Sequence, residues 1–137
     1  MKARVAITLA GHKADAATWF EGGGWVTSDA YGAAPFIETY VKAHPVTSDY
    51  GKTWTLSLPQ GAYWYEEKAT GAVPPQGWEL TFPHVLRGKS GGTEPDEAFF
   101  GQWATSPFAD AYLTRLAETA VDSKMTERKL VSLFGID

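Results

Sequence analysis

Few side chains in this sequence could do chemistry, and their spacing limits what that chemistry could be. The histidines are His12, His44 and His84. No two stand at the i, i+4 spacing of a helix or the i, i+2 spacing of a strand, and there is no cysteine. A zinc site would need all its ligands from separate loops, so no metal and no cofactor is expected. Two carboxylates stand in related surroundings: Val26-Thr27-Ser28-Asp29-Ala30-Tyr31-Gly32 resembles Val46-Thr47-Ser48-Asp49-Tyr50-Gly51, with one insertion. If symmetry brought them together, Asp29 and Asp49 would pair for acid–base work or a hard cation. The bland alternative is turn chemistry, in which short side-chain oxygens bond the local backbone. The enzymatic expectation is therefore a polar cleft at a sheet edge, lined by His12, Asp29, His44 and Asp49, in a small enzyme or ligand-binding domain.

Other motifs carry less. Pro83-His84-Val85-Leu86-Arg87-Gly88-Lys89-Ser90 approaches the phosphate-loop pattern. Its first glycine is replaced by Pro83, and Gly91, Gly92 and Pro95 follow where a helix must begin. No Gly-x-Ser-x-Gly elbow occurs. Glu66 and Glu67 are neighbours on a predicted strand, so they point to opposite faces and cannot act jointly.

What remains is aromatic. The chain has 6 Trp, 6 Tyr and 7 Phe in 137 residues. Tyr63-Trp64-Tyr65 lies on a predicted strand with two Tyr on one face and Trp on the other. Unless both faces are covered, at least one presents an aromatic surface to a partner. Tyr63, Trp64 and Tyr65 are the expected partner-binding residues.

The elements that must position these groups follow from periodicity. Residues 53–58, 62–67 and 78–82 alternate bulky apolar with polar side chains and predict a three-stranded meander. Its expected core faces are Trp54-Leu56-Leu58 and Trp78-Leu80-Phe82. Residues 3–9 alternate likewise and predict an N-terminal strand. A short helix is expected from Asp15 to Phe20, broken by Gly22-Gly23-Gly24, with a short strand at 25–27. Pro35 suits the first turn of a helix over 35–43, whose apolar face is Phe36, Ile37, Tyr40 and Val41. After a Gly-rich loop at 87–93 the chain turns helical. One helix is expected from Pro95 to Ala104 and a second from Ser106-Pro107, with a stripe of Phe108, Ala111, Tyr112, Leu116 and Ala120. A last helix is expected at 126–134. Strands before helices, without βαβ alternation, predict one α+β domain over 1–137, with a mainly antiparallel sheet packed against C-terminal helices.

Composition narrows the function class. Net charge is −4, from 16 acidic and 12 basic residues, with no Lys/Arg run, so nucleic acid is not an expected partner. The apolar run at 5–10 is too short to span a membrane and lacks a signal-peptide cleavage pattern. An intracellular, non-membrane protein is expected. Abundant Ala, Gly and Trp with no Asn fit a GC-rich bacterium or its phage, with the virion as a further location in the latter case. The preferred expectation is a non-enzymatic interaction or assembly protein. It would dock onto a protein partner or a second copy through an aromatic sheet face, the C-terminal helices, or both.

Overall fold

The computed structural model describes residues 7–8, 11, 14, 16–32, 35–59, 61–64, 71, 73–89 and 92–124. They form a mixed α+β fold with two small antiparallel sheets. β1 (Trp19–Glu21) and β2 (Gly24–Val26) pair in the register Trp19↔Val26, Phe20↔Trp25, Glu21↔Gly24. Gly22 and Gly23 make the two-residue turn with φ of 61° and 85°. Only glycine occupies that region cheaply, and positive φ at both central residues suits the twist of a hairpin. The predicted helix up to Phe20 is thus corrected at its described end: Trp19 and Phe20 belong to a strand. The hairpin turn and the ring contacts of Phe20 outweigh the weak local preference for helix. Thr18 Oγ1 donates to the Val26 carbonyl (2.9 Å) and Thr27 Oγ1 to that of Ala17 (2.6 Å), extending the pairing past β1 and β2.

α1 spans Pro35–Ala43, the predicted bounds, and buries Tyr40. A 3-10 turn follows at Val46–Asp49 and delivers the chain to β3 (Thr53–Trp54). β3 pairs with β4 (His84–Val85), placing Trp54 opposite His84. The ladder continues through Gly51 N to Leu86 O (2.8 Å) and Leu86 N to Lys52 O (2.9 Å).

α2 (Glu97–Ala104) and α3 (Pro107–Lys124) follow. Asp96 caps α2, one residue beyond the predicted Pro95 start: Oδ1 accepts from Phe99 N (2.8 Å) and Oδ2 from Lys89 N (3.2 Å). Those two backbone donors hold its carboxyl below the ordinary carboxylate range. Pro107 opens α3 where it has no N–H to lose. α3 packs against both α1 and α2. Its buried stripe is Ala109, Tyr112, Leu116 and Ala120, while Phe108 is half-buried and Ala111 exposed.

The core gathers Tyr40, Val46, Leu86, Phe99, Trp103, Ala109, Tyr112 and Leu116. The β1–β2 hairpin lies on it through rings. Phe20 meets Trp103 at 4.8 Å between centroids, and Trp25 stacks on Tyr112 at 5.6 Å and 15°. One polar side chain organises the layer above. Gln102 is wholly buried on the Phe99–Trp103 face of α2. Its Oε1 accepts from Arg87 N and Gly88 N, and its Nε2 donates to the carbonyls of Gln76 and Gly88. Two loops are thereby fixed to one helix, with both ends of the amide satisfied.

The predicted three-stranded meander is not found among the described residues. Of its first strand, predicted over 53–58, only Thr53 and Trp54 are extended, with His84–Val85 as partner, and residues 55–58 are irregular. Residues 61–64 are turn and residues 78–82 are irregular. Of the expected core faces, Trp54, Trp78 and Phe82 do pack together, whereas Leu58 and Leu80 are exposed at 56% and 51%. The reason is that β3 can satisfy only one partner on that edge, and the rings around Trp54 and His84 select β4. Of the predicted strand at 3–9, the described Ile7 and Thr8 are helical. The helix expected at 126–134 lies outside the described residues.

Candidate functional site

The described part of the expected partner-binding run, Tyr63 and Trp64, sits in a loop, not on a strand. After β3 the chain turns at Pro59, whose carbonyl accepts from Ala62 N (3.0 Å), with Gly61 at φ 91°. The Tyr63 hydroxyl then accepts from Leu58 N (2.8 Å), closing the loop on itself. Tyr63 is half-buried by this role. Trp64 is 88% exposed, and Leu58 in the same loop is 56% exposed. Tyr65 lies outside the described residues. The strand expectation of Tyr and Trp on opposite faces is therefore replaced by a division of labour. Tyr63 shapes the loop and Trp64 is the apolar group it presents.

The four polar candidates fare differently. His12 lies outside the described residues. Asp29 is exposed on a turn and His44 is exposed at the end of α1, its ring against Tyr40 at 4.4 Å. Asp49 is 5% exposed; its Oδ2 accepts from Trp103 Nε1 (2.8 Å) and its Oδ1 from Lys52 Nζ. Among the described residues, none of Asp29, His44 and Asp49 hydrogen-bonds another. The two Thr-Ser-Asp stretches also take different shapes. In the first, Ser28 Oγ accepts from Ala30 N and Ser28 O from Tyr31 N, forming a turn off β2. The second forms the 3-10 segment that buries Asp49. Local turn bonding accounts for the first, and a buried indole partner for the second. Asp49 thus acts as a structural acceptor under Trp103, neutralised by a Lys52 that also lies 5.7 Å over the Phe108 ring.

The phosphate-loop resemblance dissolves for a concrete reason. The backbone N–H groups of Arg87 and Gly88 are taken by Gln102, and that of Lys89 by Asp96. Those are the donors an anion would require.

His84 has a setting its sequence position did not announce. It is 7% exposed on β4 and enclosed by three rings. Trp78 stacks on it at 4.6 Å and 13°, Phe82 approaches at 4.2 Å and Trp54 at 5.8 Å. Burial lowers its pKa from the ordinary 6.5. Gln102 was also missed, though a signal existed: a polar residue on the apolar face of a helix, beside Phe99 and Trp103, needs buried partners. For His84 the signal was tertiary, because the enclosure is completed by Trp54, 30 residues away.

Among the described residues, no group of three or more His, Asp or Glu side chains is placed to hold a metal ion. No described helix is long and apolar enough to cross a membrane. No protein-family model, curated protein sequence or solved structure matches this chain.

Proposed function

We propose that this is a non-enzymatic interaction protein, a component or inhibitor of a larger assembly. It docks a partner protein or a second copy of itself through the loop surface around Trp64. The observation that carries this is the 88% exposure of Trp64, in a loop whose Leu58 is also 56% exposed. Single exposed apolar residues are commonplace, but a tryptophan left almost wholly in water is not, and tryptophan is enriched where binding energy concentrates. Burying it against a partner would return about 2–3 kcal/mol. The bond from Leu58 N to Tyr63 supports the same reading, since a loop held in one shape loses less entropy on binding. Tyr65 is proposed as a partner-binding residue from the sequence alone, as the residue that follows Trp64. The acidic surplus and the absence of a basic run favour a protein over a nucleic acid.

The test uses Trp64→Ala, with Tyr63→Ala and Tyr65→Ala beside it. Sedimentation velocity over a concentration series reads self-association. A pull-down from the protein's own source, with wild-type and W64A baits, reads partner capture. W64A is expected to keep the wild-type circular dichroism and melting temperature and to lose the association. A wild type that stays monomeric and retains no partner, or a W64A bait that binds as well as wild type, overturns the proposal.

A further inference from the structure

The group around His84 holds two separate pieces of chain together, and its chemistry makes that hold conditional. β3 contributes Trp54; the irregular segment before β4 contributes Trp78 and Phe82; β4 contributes His84. The segment is tied down at a second point by Trp78 Nε1, which donates to the Val85 carbonyl at 2.8 Å. His84 Nδ1 is shut away from solvent without a hydrogen-bond partner. In a neutral imidazole that nitrogen can be a bare acceptor, a modest loss. In an imidazolium both nitrogens carry protons, so Nδ1–H becomes a charged donor facing carbon. The flanking rings offer it cation–π attraction, but no oxygen.

We infer that the His84–Trp78–Phe82–Trp54 cluster is an acid-released clasp: protonation of His84 frees residues 78–83 from β3 while the helical core stays folded. The charged side chains flanking the packed elements are Lys52, Glu79 and Arg87; all are exposed, and none pairs with the imidazole among the described residues. Among the described residues, no facing carboxylate is therefore present to accept the new charge. Burial sets the direction of the His84 pKa, downward from 6.5. An unfolded histidine takes its proton near 6.5 while the enclosed one resists, so the clasp is at full strength above that pH. It weakens progressively as pH falls toward the lowered value. The clasp carries Leu80, half exposed on the freed segment, so acid would change which apolar surface the molecule shows. The inference does not depend on the docking role of Trp64.

NMR tests it on the intact chain. The ring signals of His84 give its own titration, apart from His12 and His44. The indole N–H of Trp78 reports the clasp, and that of Trp103, bonded to Asp49, reports the core. Between pH 7 and 4.5 the Trp78 signal is expected to shift and lose exchange protection with the His84 midpoint, below 6.5, while Trp103 keeps its protection. His84→Phe fills the enclosure without a titrating group, and His84→Gln removes the charge with a smaller side chain. Both are expected to abolish the step. A His84 midpoint at or above 6.5, a Trp78 signal indifferent to His84 titration, or an unchanged step in either variant overturns the inference.

Discussion

Tyr112 shows how much a single position decides here. Its ring sits among Trp25, Tyr40 and Trp103, with centroids 5.4–5.6 Å away. Its hydroxyl is buried without a partner of hydrogen-bonding geometry, as is the Trp25 indole nitrogen. Burial, with the nearby Tyr40 phenol adding to it, pushes its pKa up to about 12. An unfolded tyrosine ionises near 10, so the folded chain keeps a proton that the unfolded chain gives up. The stability tied to Tyr112 is full below pH 10 and lost as pH rises from 10 to 12. Tyr112→Phe keeps the ring and removes both the titrating group and the orphaned hydroxyl. Urea denaturation at pH 7 should place it within about 1 kcal/mol of wild type. The fall in stability between pH 10 and 12 should be shallower; an alkaline limb identical to wild type would contradict the assignment.

Among the elements, the β1–β2 hairpin is the most tightly specified. Both turn residues have positive φ, yet their surroundings differ. A Cβ on Gly22 would meet nothing within 4 Å, whereas one on Gly23 would lie 2.6–2.9 Å from three atoms of the Phe100 ring. Gly22→Ala should therefore lose only the left-handed backbone penalty, about 1–2 kcal/mol. Gly23→Ala should lose that and, in addition, about 1–3 kcal/mol for displacing a packed ring. Equilibrium unfolding of the two variants, together with Gly23→Ala in a Phe100→Ala background, separates these costs. If the two glycines prove equal, the close approach of turn and helix is not a constraint on the fold.

Across the molecule, the aromatic residues divide by what surrounds them. Trp103 is wholly buried, its ring against Phe20 and Tyr112 and its nitrogen on Asp49. Trp64 is almost wholly exposed. Trp103→Ala should cost about 3–5 kcal/mol from the cavity and the carboxylate left behind. Trp64→Ala should change stability by less than about 0.5 kcal/mol, as expected of an exposed site. Chemical denaturation of both variants checks the contrast. A large loss in W64A would mean that the loop supports the core instead of presenting a surface.

Local chemistry made the helices legible in advance. Pro35 and Pro107 stand where a first turn has no N–H to spare, and Tyr112, Leu116 and Ala120 repeat at the helical spacing. These cues act within a few residues of each other, so reading them needs no partner. Strands are different, because an extended segment declares itself only through the chain it bonds to. Residues 53–58 could have met 62–67; the structure instead sets Thr53 and Trp54 against Val85 and His84. The alternation that made Leu58 and Leu80 look like core therefore misled, and both are about half exposed. The same holds for the candidate site. Tyr63-Trp64-Tyr65 could be singled out as aromatic residues in want of cover. Which ring is left exposed depended on a turn and one hydroxyl bond to Leu58. The enclosure of His84 and the burial of Asp49 under Trp103 depended on segments far apart in sequence, and only tertiary packing could bring those together.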